Sequence, residues 1–188
     1  MSEALQALYE GDAELGRTLL PADDDLTVFE AAAFGRVGRL QELLAVDPSL
    51  VSAFSEDGFT ALHLAVFAGQ DETANVLIGQ GADVNVRSTG PIAQVPPLGT
   101  AAFVGSVPLA RLLLDAGADV NGRGAGGFTA LHAAAQNGDA DFARELLARG
   151  ADPDLSNEAG ATPADLAADD DLRRLLRRGT TGEPGVPP

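Results

Sequence analysis

The chain has 188 residues, no cysteine and a formal net charge of −16. Without thiols it forms neither disulfides nor thiolate metal centres. So acidic a chain lacks the basic patch that nucleic acid or an anionic membrane requires, and no apolar run approaches the roughly 18 residues of a membrane span.

Residues 1–10 lack the basic and long apolar stretches of a secretory leader, so a cytoplasmic chain is expected. Ala4, Leu5 and Leu8, then Gly11, then Leu19 and Leu20, read as a first helix pair followed by a short loop over 21–25. Leu26 to Gly35 repeats that spacing with Leu43 and Leu44 and closes on Asp47-Pro48-Ser49. A phrase then recurs. Thr60-Ala61-Leu62-His63, Thr129-Ala130-Leu131-His132 and Thr162-Pro163-Ala164-Asp165 open three copies, the last two 33 residues apart. Pro96-Pro97-Leu98-Gly99 stands 33 residues before Thr129. Gly35, Gly69, Gly105 and Gly138 precede paired aliphatics such as Leu77-Ile78 and Leu113-Leu114, and Gly81, Gly117 and Gly150 each open a Gly-Ala-Asp. A period of this length marks a stacked array, not one globular core.

Each marker has a mechanical role. Thr60 and its equivalents are N-caps, and Pro97 and Pro163 suit the first helical position, where a missing N–H costs nothing. Gly69 and Gly81, with their equivalents, close helices in the left-handed conformation. Asp57-Gly58 suits a tight turn. The unit is therefore helix, turn, helix and an extended turn or finger. The last copy, opened by Thr162-Pro163, is expected to carry a truncated second helix, capped by Asp169, Asp170 and Asp171 with Arg173, Arg174, Arg177 and Arg178 near its end.

Asp57-Gly58-Phe59-Thr60-Ala61-Leu62-His63-Leu64-Ala65 and Gly81-Ala82-Asp83-Val84-Asn85 resemble the ankyrin repeat closely, and the resemblance covers roughly residues 2–178. It implies an all-α, ankyrin-repeat α-solenoid of stacked helix pairs with β-turn or hairpin fingers, about six pairs including two degenerate caps. A single domain is expected over 1–178. Its N-terminal cap pair lies at 2–24, its repeats at 25–55, 56–88, 89–123 and 124–156, and its C-terminal cap at 157–178; a disordered tail is expected over 179–188. Degenerate ends are what capping copies require. The twelve basic residues are all arginine, as a GC-rich genome produces, and a small bacterial protein of this family is expected.

The middle copy is irregular. Asn85 to Pro96 is three residues longer than Asn121 to Thr129, so the finger over 87–95 carries an insertion. Pro96 replaces the cap Thr, a loss of about 1 kcal/mol, and Gly99 replaces the His. The irregularity reads equally as tolerated drift or as a finger reshaped for a partner.

No catalytic constellation is found. His63 and His132 lie two repeats apart, roughly 10 Å per layer, too far to share a metal or a proton. The resemblance assigns both a structural role, hydrogen-bonding neighbouring backbone and side chain. The glycine-rich run 122–127 lacks a following Lys and falls in a finger, and the two Asp triplets read as caps and loop residues. No cofactor and no metal are expected.

The phenylalanines are more informative. In this repeat the position before the cap Thr, the end of the first helix and the finger tip face the groove. Phe59 and Phe128 precede cap threonines, Phe34, Phe67 and Phe103 end first helices, and Phe54 lies at a finger tip. An exposed apolar stripe marks a binding surface, with aromatics as anchors. With Glu56, Asp57, Gln136 and Asn137 as a polar rim, and finger residues Arg87, Ile92 and Arg123, these make the expected partner-binding set. The resemblance implies a non-catalytic, monomeric module that binds another protein through its concave groove and finger tips. The alternatives are an acidic decoy masking a basic or nucleic-acid-binding protein, and an uncharacterised enzyme or small-ligand binder.

Overall fold

The structure, a computed structural model, describes residues 1–90 and 94–178. The expected tail over 179–188 and the candidate Ile92 lie outside the described residues.

The described chain folds into consecutive helix pairs. The first is α1 (Glu3–Tyr9) with α2 (Ala13–Thr18), then α3 (Val28–Ala33) with α4 (Val37–Val46) and α5 (Ala61–Phe67) with α6 (Asp71–Gly79). There follow α7 (Pro97–Val104) with α8 (Val107–Asp115), α9 (Ala130–Asn137) with α10 (Ala140–Ala148) and α11 (Pro163–Leu166) with α12 (Asp170–Arg178). The first helices stack in one row, α1 on α3 and so on to α11, while α4, α6, α8 and α10 stack in a second row behind it. This is the stacked α-solenoid that the resemblance implied.

Small residues let the inner row approach closely. Ala31, Ala65, Ala101 and Ala134 are fully buried between successive inner helices. Leucines fill the space between rows: Leu40, Leu62, Leu77, Leu98, Leu109, Leu113, Leu131 and Leu146 have essentially no exposed surface. Burial of each such side chain stabilises by roughly 1.5–3 kcal/mol. Phe142, also fully buried, is the large ring of this core. Thr73 adds a buried hydrogen bond from Oγ1 to the Ala32 carbonyl at 3.0 Å, tying α6 to the preceding pair.

The local rules hold where the sequence placed them. Gly35, Gly69, Gly105 and Gly138 have φ between +69° and +73°. Pro97 and Pro163 open α7 and α11. The last pair departs from expectation. The truncated helix is the first, α11, with four residues, whereas α12 runs nine. Ala167 leaves the helix with φ −59° and ψ 128°, and Asp169 Oδ1 accepts the Leu172 N–H at 2.8 Å, starting α12. Leu172 and Leu176 then close the core, so α12 is kept long by what it buries.

The fingers are held to one another by single backbone bonds. Thr89 donates to the Gly58 carbonyl, Ala125 to Gln94 and Glu158 to Gly126, each at 2.8 Å. At the first contact the backbones approach so closely that a Cβ on Gly58 (φ +84°) would lie 2.2 Å from the Gly90 nitrogen. Side-chain amides repeat the link lower down. Asn85 donates to the Gly117 carbonyl and accepts the Asp119 N–H, and Asn121 accepts the Asp152 N–H.

Candidate interaction surface

The inner row starts each copy the same way. Thr60 holds an extended backbone, and its Oγ1 lies 2.8 Å from His63 Nδ1, which also accepts the Thr60 N–H at 3.4 Å. With Nδ1 accepting, Nε2 carries the proton and donates to the Val95 carbonyl of the next copy at 2.9 Å. Thr129 and His132 repeat the arrangement, with Nε2 on the Ala161 carbonyl at 3.1 Å. Glu30 and Asp165 fill the same capping role in α3 and α11. Burial pulls His63 down to about 4, against the opposing pull of the Val95 carbonyl. Burial also lowers His132, whose ring the Ala161 carbonyl pulls the other way. Both rings are therefore neutral struts between layers.

At the far end of α1, α5 and α7 the side chains are aromatic. Tyr9, Phe67 and Phe103 each stand two residues before the closing glycine of their turn. The Phe67 and Phe103 rings stack, 6.4 Å apart and 14° from parallel. Tyr9 meets Phe67 edge-on at 5.5 Å and Phe59 at 6.2 Å. The corresponding residue of α3 is Ala33, whose small side chain lets Tyr9 reach past one layer. The Tyr9 hydroxyl donates to Asp57 Oδ2 at 2.5 Å. Burial, and behind it that carboxylate, hold the phenol far above its ordinary value.

Two family models match the chain. The one described as "Ankyrin repeats (many copies)" covers residues 100–167, and "Ankyrin repeat" covers 57–89; together they take in more than half of the sequence. The chain belongs to the ankyrin-repeat family. Its relatives include a transient receptor potential cation channel subfamily A member 1 homolog of Caenorhabditis elegans, 31% identical over 93% of this chain and 14% of the relative. A mitochondrial disaggregase of Bos taurus is 31% identical over 86% of this chain and 24% of the relative. Protein phosphatase 1 regulatory subunit 27 of Homo sapiens is 38% identical over 66% of this chain and 58% of the relative. The chain thus spans less than two thirds of each relative. All three are animal proteins and lend no support to a bacterial source. Ankyrin repeats generally mediate protein–protein interaction and are typically non-catalytic.

In this ankyrin-repeat chain the thirteen expected contact residues have several fates. Phe103 is 70% exposed and Phe54 42% exposed. Phe59 and Phe67 are half-buried beneath Tyr9. Phe128 is half-buried too and packs on His132 at 5.4 Å, apart from the stack. Phe34 corrects the reading: it is only 7% exposed, packed against α1 and Gly16. It stands one residue before Gly35 rather than two, and one residue turns a helical side chain by about 100°, away from the groove and under the first pair.

The polar candidates are engaged within the protein. Glu56 pairs with the Met1 amino group, and Asp57 takes both the Tyr9 and Ser55 hydroxyls. Arg87 reaches the Gln94 carbonyl at 3.4 Å. Arg123 bridges the Gly127 and Ser156 carbonyls at 3.3 and 2.9 Å, so it ties two fingers. Asn137 donates to the Ala102 and Phe103 carbonyls, closing the end of α7, while Gln136 is exposed. Tyr9 was missed, although its spacing from Gly11 matches that of Phe67 from Gly69 and of Phe103 from Gly105.

Two open depressions of about 290 and 310 Å³ lie at the two ends of the stack, one beside Asp169 and Arg174, the other beside Met1 and Leu19, both away from the aromatic rings. Among the described residues no helix is long and apolar enough to cross a membrane, and no cluster of His, Asp and Glu suits a metal ion.

Proposed function

We propose that this chain is a non-catalytic, monomeric, cytoplasmic binding module that grips a partner protein on its aromatic row, with Phe103 as the anchor. The observation that carries the reading is the exposure of Phe103 on top of a ring stack. A large ring left 70% exposed contributes little to the fold, and aromatic residues dominate the energetics of protein interfaces. Phe67 stacks behind it and is itself backed by Tyr9, and a pre-organised anchor loses little entropy on binding. Gln136, next in the row, and Val104 complete the proposed surface, with Phe54 and Arg87 as proposed finger contacts. One relative is named as a regulatory subunit of protein phosphatase 1, a role that works by association with another protein. Neither nucleic acid nor a lipid surface suits a chain of net charge −16.

The test is pull-down from native lysate with the unaltered chain and with Phe103→Ala, followed by mass spectrometry. Loss of one recovered protein from the variant, at unchanged melting temperature, is the expected result. An identical set of recovered proteins would sink the reading.

A further inference from the structure

We infer that the segment seated on the aromatic row is basic and places an arginine guanidinium on the open face of Phe103. The inference rests on the protein-binding reading and names the chemistry of the partner. It follows from what surrounds the ring. The Phe67–Phe103 stack continues toward α9, but the next position in the row is Gln136, so among the described residues no ring covers the face of Phe103 turned away from Phe67. The turns on either side of the stack, 67–72, 103–107 and 136–141, contain Asp71, Glu72, Asp139 and Asp141 and no basic residue. Asp139 uses Oδ1 to cap α10, while its Oδ2 lies 3.3 Å from where a Cβ on Gly105 would stand, two residues from Phe103. Asp71 and Glu72 are exposed.

His63, on the neighbouring α5, is neutral above about pH 4 and offers no opposing charge. Arg144 of α10 pairs with Asp141 at 2.6 Å, so the remaining negative charge of these turns rests on Asp71, Glu72 and Asp139. An aromatic face flanked by acidic turns attracts a cation through both the ring quadrupole and charge. A flat guanidinium stacks on a ring better than a compact ammonium does. A purely apolar partner segment would leave the exposed Asp71 and Glu72 unpaired.

The test uses acetylated, amidated hexa-arginine, hexa-lysine and hexa-citrulline peptides in about 0.15 M salt, where charge alone is well screened. Binding is followed by calorimetry and by the backbone amide resonances of the three turns. Hexa-arginine is expected to bind tightest and shift those resonances, hexa-lysine less, and the uncharged citrulline peptide not at all. Phe103→Leu keeps the apolar area and removes the ring, and should weaken hexa-arginine about two- to fivefold. The pair Asp71→Asn and Glu72→Gln should also weaken it, whereas Asp154→Asn, at a finger base, should not. Equal affinity of Phe103→Leu, or shifts confined to the fingers, would overturn the inference. If pull-down recovers a Phe103-dependent partner while no peptide binds these turns, the basic segment falls and the protein-binding reading stands. If neither shows Phe103 dependence, both fall.

Discussion

Restoring the missing capping box of α7 should stabilise the whole stack. Pro96 already holds the backbone of an N-cap, with φ −73° and ψ 162° against −82° and 164° at Thr60, yet offers no side-chain bond. In Pro96→Thr with Gly99→His, the new hydroxyl would accept the residue-99 N–H, and the ring would reach the Phe128 carbonyl. That carbonyl already accepts Gly124 N–H at 2.7 Å. The Val95 and Ala161 carbonyls each accept one backbone N–H and one His Nε2 in the same way, from Ser88 with His63 and from Asn157 with His132. A carbonyl has two lone pairs for this. The cap contributes about 1 kcal/mol, the inter-layer bond about 1 kcal/mol and helix propensity a few tenths. Loss of the proline's restraint on the unfolded chain takes back about 0.7 kcal/mol. The net gain is about 1.5 kcal/mol, or roughly 3–6 °C in melting temperature for a chain of this length. Thermal and urea unfolding followed by circular dichroism measures it. A double variant no more stable than Gly99→Ala alone would refute the argument that α7 lacks only the shared box.

Stability should fall as pH drops from about 6.5 toward 4. The unfolded His63 binds a proton in that window and the buried ring does not, so the unfolded state is favoured, by up to about 3 kcal/mol at the lower end. His63→Gln should flatten the slope of urea stability against pH; an unchanged slope contradicts the neutral-strut role. Phe34→Ala should cost about 3 kcal/mol of unfolding free energy while leaving any partner affinity intact, the reverse of what a groove anchor would do. Gly16→Ala should destabilise by about 1 kcal/mol or more in a chemical melt despite alanine's better helix propensity. Its Cβ would lie 2.9 Å from the Ala4 carbonyl oxygen and from the Phe34 ring; a raised midpoint would show that the first pair can spread.

What was legible in the chain was whatever the repeat makes periodic. Thr60, His63, Gly69 and Gly81 recur because each layer must begin, turn and stack like the last, so their roles could be read by comparing copies. The surface was legible only in part, because it depends on register within a helix and on which copy lies alongside. Phe34 and Phe67 look alike in sequence, but one residue of offset sends one into the core and the other to the groove. Tyr9 was hidden by its place in a degenerate copy, where the eye follows the glycine and the leucines. The lengths of α11 and α12 were set by burial of Leu172 and Leu176, which no local signal announces. Arg123 and Asn137 looked like free polar contacts and turned out to bond neighbouring backbone, because a thin solenoid must satisfy its turn carbonyls with side chains from the next layer.

Tyr9 passes over Ala33 to touch Phe67 and reaches the finger at Asp57. A stack whose layers meet only their neighbours would be free to fray from the end, one pair at a time. Here the first pair cannot lift away without breaking contacts two layers in, so the N-terminal end should melt as a block of three pairs. The chain has one Tyr and no Trp. Its tyrosine fluorescence therefore reports on that block alone, while circular dichroism reports on every helix. If the two signals change together the solenoid unfolds as one cooperative body, and if they separate their order gives the direction in which it unzips.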